Sequence, residues 1–234
     1  MIYQHRLVVA RSGKLDKRHE GFQSTSMPAY EAAGSVLVGA WEICIGRDAG
    51  SALWQLRQFE SLAFWEAYQV KLRADRQLTQ ARAKALYPIN DEINTSILER
   101  AGVSPPLPAN WPSMDDVKGR LRGYIEQRTM RFRPGLSEDH HQFYQSHIMP
   151  ALAMEGVELI GLFDTLIGTG AAGPGPTMQS VELRRFADMA TWQVWRERQE
   201  TDVALGKLVR QDWLGKMVDM RTELLRPMDY SRIR

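Results

Sequence analysis

Four arginines, Arg6, Arg57, Arg128 and Arg184, each sit two residues from Gln4, Gln55, Glu126 or Glu182, and that combination can do chemistry. A guanidinium fork matches paired oxygens bidentately, so such a set holds an anionic or oxygen-rich small molecule. A carboxylate within reach then moves a proton. Glu42 and Asp164 are the candidate acid/base pair, and His147, which titrates near neutral pH, is the third catalytic candidate. The expected activity is cofactor-independent proton transfer, of the lyase or isomerase type, on an aromatic or carboxylated metabolite. One alternative is that the arginine–carboxylate pairs only stitch two sheets together. A non-catalytic ligand-binding or scaffold protein is the other class. No metal is expected, because His140, His141 and His147 lack an i,i+4 ligand pair.

The elements that position these residues are written twice. Ser24-Thr25-Ser26-Met27-Pro28-Ala29 returns as Ser146-His147-Ile148-Met149-Pro150-Ala151, a shift of 122, and the same shift pairs His19 with His141, Gly39 with Gly161 and Ile45-Gly46 with Ile167-Gly168. Further on the shift is 127, pairing Leu56-Arg57 with Leu183-Arg184 and Trp65 with Trp192, so five residues enter near Gly168–Thr177. That glycine-rich stretch is expected to form a lid over one barrel mouth; with no Gly-Lys-Ser/Thr after it, it is not a phosphate loop. Each copy reads strand, helix, two strands, helix, strand: Ile2–Val9, Leu15–Ala33 bent or broken by Pro28, Ser35–Gly46, Ala52–Phe59, Leu62–Leu86 and Ile93–Leu98 in the first. The second copy reads Gly123–Arg133, Leu136–Glu155, Val157–Ile167, Met178–Phe186, a helical region Ala187–Asp219, and Arg221–Leu225. This is the α+β, ferredoxin-like βαββαβ order in tandem. Domains are expected at 1–101 and 121–234, joined by the proline-rich linker 102–120, in which Trp111 can pin the connector.

Ile2-Tyr3-Gln4-His5-Arg6 and Tyr124-Ile125-Glu126-Gln127-Arg128, each followed by a glycine turn, a proline-bearing helix and Gly39-Ala40-Trp41 or Gly161-Leu162-Phe163, resemble the NIPSNAP family. The resemblance implies a dimeric α/β-barrel, two ferredoxin-like sheets packed face to face around a cavity, here from one chain. It departs at His5 and Gln127, where family members commonly carry Leu, and at Arg57 and Arg184, where they carry Trp. The superfamily resemblance also allows cofactor-free monooxygenation of an electron-rich aromatic. Related folds bind haem through a histidine in the second half, but none follows His147 here.

Alternation assigns faces. Leu56 and Leu183 are expected against the helices, with Gln55, Arg57, Glu182 and Arg184 turned toward the opposite sheet; Gln4, Arg6, Glu126 and Arg128, and Glu42 and Asp164, join them in the cavity. Trp65, Tyr68, Trp192 and Trp195 fall at i,i+3 and read as helix-to-sheet core, and the repeated His19 and His141 as structural. With 30 basic and 28 acidic residues there is no electrostatic case for nucleic acid. The single Cys44 lies in an apolar run, the N-terminus lacks an apolar leader, and no stretch approaches a membrane span. The expectation is a cytoplasmic protein with a small-molecule substrate, no membrane partner, and a homodimer through exposed edges and helices.

Overall fold

In the computed structural model, residues 1–108, 111, 123–133, 135–168, 179–201, 207 and 214–233 are described. The elements are β1 (Ile2–Ala10), α1 (Leu15–Gly21), α2 (Met27–Ala32), β2 (Val36–Ile45), β3 (Ala52–Phe59), α3 (Leu62–Ala74), α4 (Arg76–Ala85) and β4 (Asn90–Arg100). Then follow β5 (Tyr124–Phe132), α5 (Ser137–Phe143), α6 (Met149–Met154), β6 (Glu158–Ile167), β7 (Gln179–Phe186), α7 (Met189–Thr201) and β8 (Met217–Pro227). The strands form a closed antiparallel barrel in the order β1-β3-β2-β8-β5-β7-β6-β4. Two four-stranded sheets, β4-β1-β3-β2 and β8-β5-β7-β6, meet along seams where Ile43 faces Leu225 and Glu99 faces Asp164. Closure satisfies every strand edge, so the exposed edges expected to support a homodimer are absent among the described strands.

Pro28 and Pro150 do not break their helices. Proline has no N–H to give the previous turn, and the turn ahead of it widens instead: Met27 N–H reaches back five residues to Phe22 O, and Met149 N–H to Tyr144 O. These π-helical turns, Phe22–Ser26 and Tyr144–Ile148, join α1 to α2 and α5 to α6, and such turns recur at functional sites. Gly34 and Gly156, at φ 96° and 65°, end the paired helices in the left-handed conformation that glycine adopts without strain. The helix expected over Leu62–Leu86 is split at Asp75, whose carboxylate caps α4 by accepting from Leu78 N at 2.9 Å. The helical region expected to Asp219 ends earlier, because β8 begins at Met217 to pair with Phe132. The expected lid falls almost wholly on 169–178, outside the described residues, as does most of the linker.

Both β2 and β6 carry a bulge at the glycine of the repeated Gly-x-aromatic motif, between Leu37 and Gly39 and between Leu159 and Gly161. The missing side chain gives room for the ring two residues on. A Cβ on Gly39 would stand 2.0 Å from the Trp41 ring, and one on Gly161 2.7 Å from Phe163. Trp41 cannot yield, since it is fully buried and its Nε1 donates to Ile233 O at 3.2 Å. Among the described residues no helix is long and apolar enough to cross a membrane. Gly39→Ala should therefore cost about 3 kcal/mol by overpacking, whereas Gly102→Ala, with open space around it, should stay within about 0.5 kcal/mol of wild type. Urea unfolding of the two variants checks this; equal midpoints would contradict it.

Candidate functional site

Alternation along the strands holds, but the faces are the reverse of those expected. Tyr3, Leu7, Leu56, Phe163, Leu183 and Leu225 point into the barrel and pack with one another. Across this interior His5 meets Gln127 at 2.9 Å, although β1 and β5 lie on opposite walls with three strands between them either way round. His5 stacks on Trp54 with ring centroids 4.0 Å apart, and Glu223 accepts from Trp54 Nε1 at 2.7 Å and from Gln127 Nε2 at 3.4 Å. Apolar side chains and one short polar bridge therefore occupy the space where an arginine-lined hollow was expected. Arg6, Arg57, Arg128, Arg184 and their neighbours lie on the outer face of the strands, beneath the helices.

There the two halves differ in charge. In the second, Arg128 Nε donates to Glu126 Oε1 at 2.7 Å and Arg184 Nη1 to the same oxygen at 3.4 Å, while Arg184 Nε and the Tyr144 hydroxyl both donate to Glu182. Trp192 Nε1 donates to Glu126 Oε2 at 2.7 Å and Arg184 lies 5.4 Å from the Trp195 ring centre. Two buried cations meet two buried anions. Burial alone would lower the Arg184 pKa, yet Glu182, Tyr144 and Glu126 together raise it; burial pushes Glu126 up, and Arg128 and Arg184 outweigh it to leave the carboxyl below its usual range.

The first half keeps the arginines and loses both carboxylates. Gln4 stands where the repeat has Glu126, and Gln55 where it has Glu182. Arg57, 1% exposed, has one side-chain hydrogen bond, Nη2 to Gln55 Oε1 at 3.3 Å, and its Nε and Nη1 have none. It lies instead 4.5 Å over the Tyr30 ring and 5.4 Å over Phe22. Arg18, in the place of His140, covers Phe22 at 5.4 Å with its own Nε and Nη1 unbonded, and Arg82 approaches Tyr30 at 5.7 Å. Arg6 Nε reaches Thr95 Oγ1 at 3.3 Å. Among the described residues none of these four arginines has an ion-pair partner. Burial lowers the Arg57 pKa against a partial lift from Tyr68 and Tyr30, and lowers that of Arg18 to about 10. Burial would raise Tyr30, but Arg6, Arg57 and Arg82 overcome it and bring the phenol down to about 8.

The C-terminal segment completes this wall. Tyr230 packs on Phe22 and meets His19 Nδ1 at 2.7 Å through its hydroxyl, and Ser231 Oγ accepts from Ala40 N at 3.0 Å, as Ser104 does from Leu162 N in the other half.

The three catalytic candidates are not brought together. Glu42 and Asp164 sit on β2 and β6, opposite walls of the barrel, and both face outward. Glu42 pairs with Arg226 at 2.5 Å beside a cavity of about 410 Å³ that His19 and Asp229 also line. Asp164 accepts from Ser180 Oγ at 2.6 Å and meets His141 Nε2 at 3.1 Å. His147 is exposed, beside the Phe143 ring. Of the eight proposed binding residues, Gln4, Arg6, Gln55 and Arg57 share one unneutralised cluster, and Glu126, Arg128, Glu182 and Arg184 neutralise one another. Tyr68 and Trp195 are buried between helix and sheet, as expected. Arg18, Tyr30, Arg82 and Tyr230 were missed; their signal was the failure of the repeat at these places, where the second half has His140 for Arg18 and Leu152 for Tyr30.

No protein-family model and no curated protein matches the chain. Solved structures do. An anthrone oxidase-like protein superposes over 97% of this chain and 91% of its own, with TM-score 0.65 at 13% identity. A candidate monooxygenase from Lactobacillus acidophilus NCFM covers 97% of this chain and 93% of its own, with TM-score 0.55 at 10% identity. This chain shares their fold. A NIPSNAP-like domain protein from Burkholderia xenovorans aligns over 47% of this chain and 94% of its own at 21% identity, with TM-score 0.43, so NIPSNAP-like proteins are among the structures it is similar to.

The buried histidines make stability depend on pH. Burial holds His5 at about 4, His19 at about 4, with Arg18 adding to the effect, and His140 at about 3, with His141 adding to it. An unfolded histidine takes its proton near pH 6.5, so the stability these groups contribute is complete above that value and is lost as pH falls toward 4. The hydrogen bond to Asp164 raises His141, whose smaller contribution runs the other way. Urea unfolding at pH 7.5 and pH 5 should differ by about 2 kcal/mol for each depressed histidine; a flat profile would contradict their buried, neutral state.

Proposed function

We propose that the chain is a small-molecule enzyme whose substrate binds in the first half, between the outer face of β1 and β3 and helices α1 to α4. Two ferredoxin-like units, 1–101 and 121–234, joined by the linker 102–120, form the barrel in this reading, and the second is its structural partner. The observation that carries the proposal is Arg57, buried with two unbonded nitrogens and, among the described residues, no carboxylate paired with it. An isolated buried charge is too costly to keep for structure alone, and the second half neutralises the equivalent arginine. Arg6, Arg18 and Arg57 hold an anionic group, and the rings of Phe22, Tyr30 and Tyr230 cover a flat, apolar body.

Tyr30 is the proton-transfer group. At a pKa of about 8 roughly a tenth is phenolate at pH 7, and the proton it removes from a carbon beside a carbonyl leaves an enolate whose oxygen the guanidinium groups stabilise. Returning that proton to a different carbon isomerises the substrate, and expelling a leaving group from the neighbouring carbon makes the reaction a lyase step. The aromatic wall and the anthrone oxidase-like fold neighbour support a second reading, cofactor-free oxygenation, in which the same deprotonation begins conversion of a ring CH2 and O2 to C=O and water. Both readings suit a cytoplasmic metabolic enzyme.

Turnover of aromatic and keto acids by wild type and Tyr30→Phe tests the role. Wild-type kcat/KM should rise with pH to a plateau above about 8, and Tyr30→Phe should lose 10²- to 10⁴-fold, as expected for removal of a general base, with its melting temperature nearly unchanged. Undiminished turnover in the variant would reject Tyr30; anion binding without turnover of any compound would make the protein a carrier.

A further inference from the structure

We infer that the ligand of the first-half site is a dianion whose oxygens bind Arg57; this rests on the reading of that site given above and names its substrate class. The second half supplies the template. There a single guanidinium, Arg184, bonds two separate carboxylates, Glu182 through Nε and Glu126 through Nη1. The repeat puts Gln55 and Gln4 at those two positions. An amide has the size of a carboxylate without its charge, so the first half keeps the shape of the pair and lacks its two negative charges. The nitrogens left unbonded on Arg57 are Nε and Nη1, the same two that hold Glu182 and Glu126 on Arg184.

The surroundings demand more than one charge. Arg18 adds a guanidinium where the repeat has a neutral histidine, and its Nε and Nη1 are also unbonded. A monoanion would offset one of four buried or half-buried cations. Gln55 Nε2, a further buried donor without a partner, turns toward the same requirement, since oxyanions accept where the carboxylates of the other half also accept. Arg6 and Arg82 are half-buried and give the cluster its contact with solvent. A dicarboxylate whose groups are two or three carbons apart and a phosphate-type group share this chemistry.

Thermal denaturation of the full chain with phthalate, malonate or inorganic phosphate, against benzoate and acetate at matched ionic strength, separates the cases. At a hundredfold excess over Kd, a bound dianion should raise the melting temperature by about 5–10 °C, and the monoanions by far less; whether phthalate and malonate or phosphate act identifies the source of the oxyanions. Gln4→Glu with Gln55→Glu, the pair the second half carries, should melt higher than wild type unliganded and respond to none of the five. Equal shifts with benzoate and phthalate would overturn the dianion while leaving the site reading in place. No response to any anion would overturn both, and an unchanged dianion response in the double variant would put the binding elsewhere and overturn the inference.

Discussion

A guanidinium taken out of water must be compensated, and the outer layers of this molecule do so in two ways. Around Arg184 compensation is internal: Glu182 and Glu126 share it, Tyr144 and Trp192 donate to the same carboxylates, and Arg128 balances the second charge. Around Arg57 the described residues offer only the faces of Phe22 and Tyr30 and one amide oxygen. Cation–π contact with aromatic faces is worth about 0.5–2 kcal/mol, well short of the several kcal/mol of desolvation that a buried ion carries. The buried charge is therefore less well compensated in the first half than in the second.

This division follows from what the barrel does with its interior. Because His5 and Gln127 join opposite walls and leucines, isoleucines and aromatic rings fill the remaining space, the interior serves as the core that fastens the halves together. The buried charged side chains lie instead on the outer face, between strands and helices. The widened turn at Phe22–Ser26 sets the ring of Phe22 between Arg18 and Arg57, and the tail after β8 brings Tyr230 to the same ring. The second half receives Val103 from the linker against its corresponding cluster. One half thus gains the ring of Tyr230 and the other a valine at the corresponding place, although both follow the same pattern of strands and helices.

Much of the fold was legible because the sequence states it twice. The shift of 122 and then 127 marks eight strands and their order along the chain, but not the glycine-supported bulges before Trp41 and Phe163. Alternation gave two faces for each strand but not which one meets the helices, and the assumption that Leu56 and Leu183 must do so reversed the site. Helices usually cover leucine; here α1 is flanked by Phe22 and α3 carries Tyr68, while α5 is flanked by Tyr144 and α7 carries Trp195, side chains able to cover arginine. The Trp-to-arginine departures at Arg57 and Arg184 suggest a polar barrel interior, but both side chains lie on the outer face, since Leu56 and Leu183 take the inner one. Glu42 and Asp164 drew attention as repeated carboxylates, yet each has a local partner, Arg226 or His141. The informative residues are those that break the repeat: Gln4 and Gln55 read as polar lining and not as missing charges, while His147, in the place of Thr25, is exposed.

The most direct test of unequal compensation is the unfolding free energy, without ligand, of Arg57→Met and Arg184→Met, substitutions that keep much of the side-chain volume and remove the charge. Arg184→Met should lose about 3–5 kcal/mol, because it strands Glu182 and Glu126 without their shared partner. Arg57→Met should be as stable as wild type or more so, since it removes a buried charge that no described residue neutralises. Equal losses in the two variants would mean that Arg57 is compensated within the fold, and the account of the first half as a vacant-charge binding site would not stand.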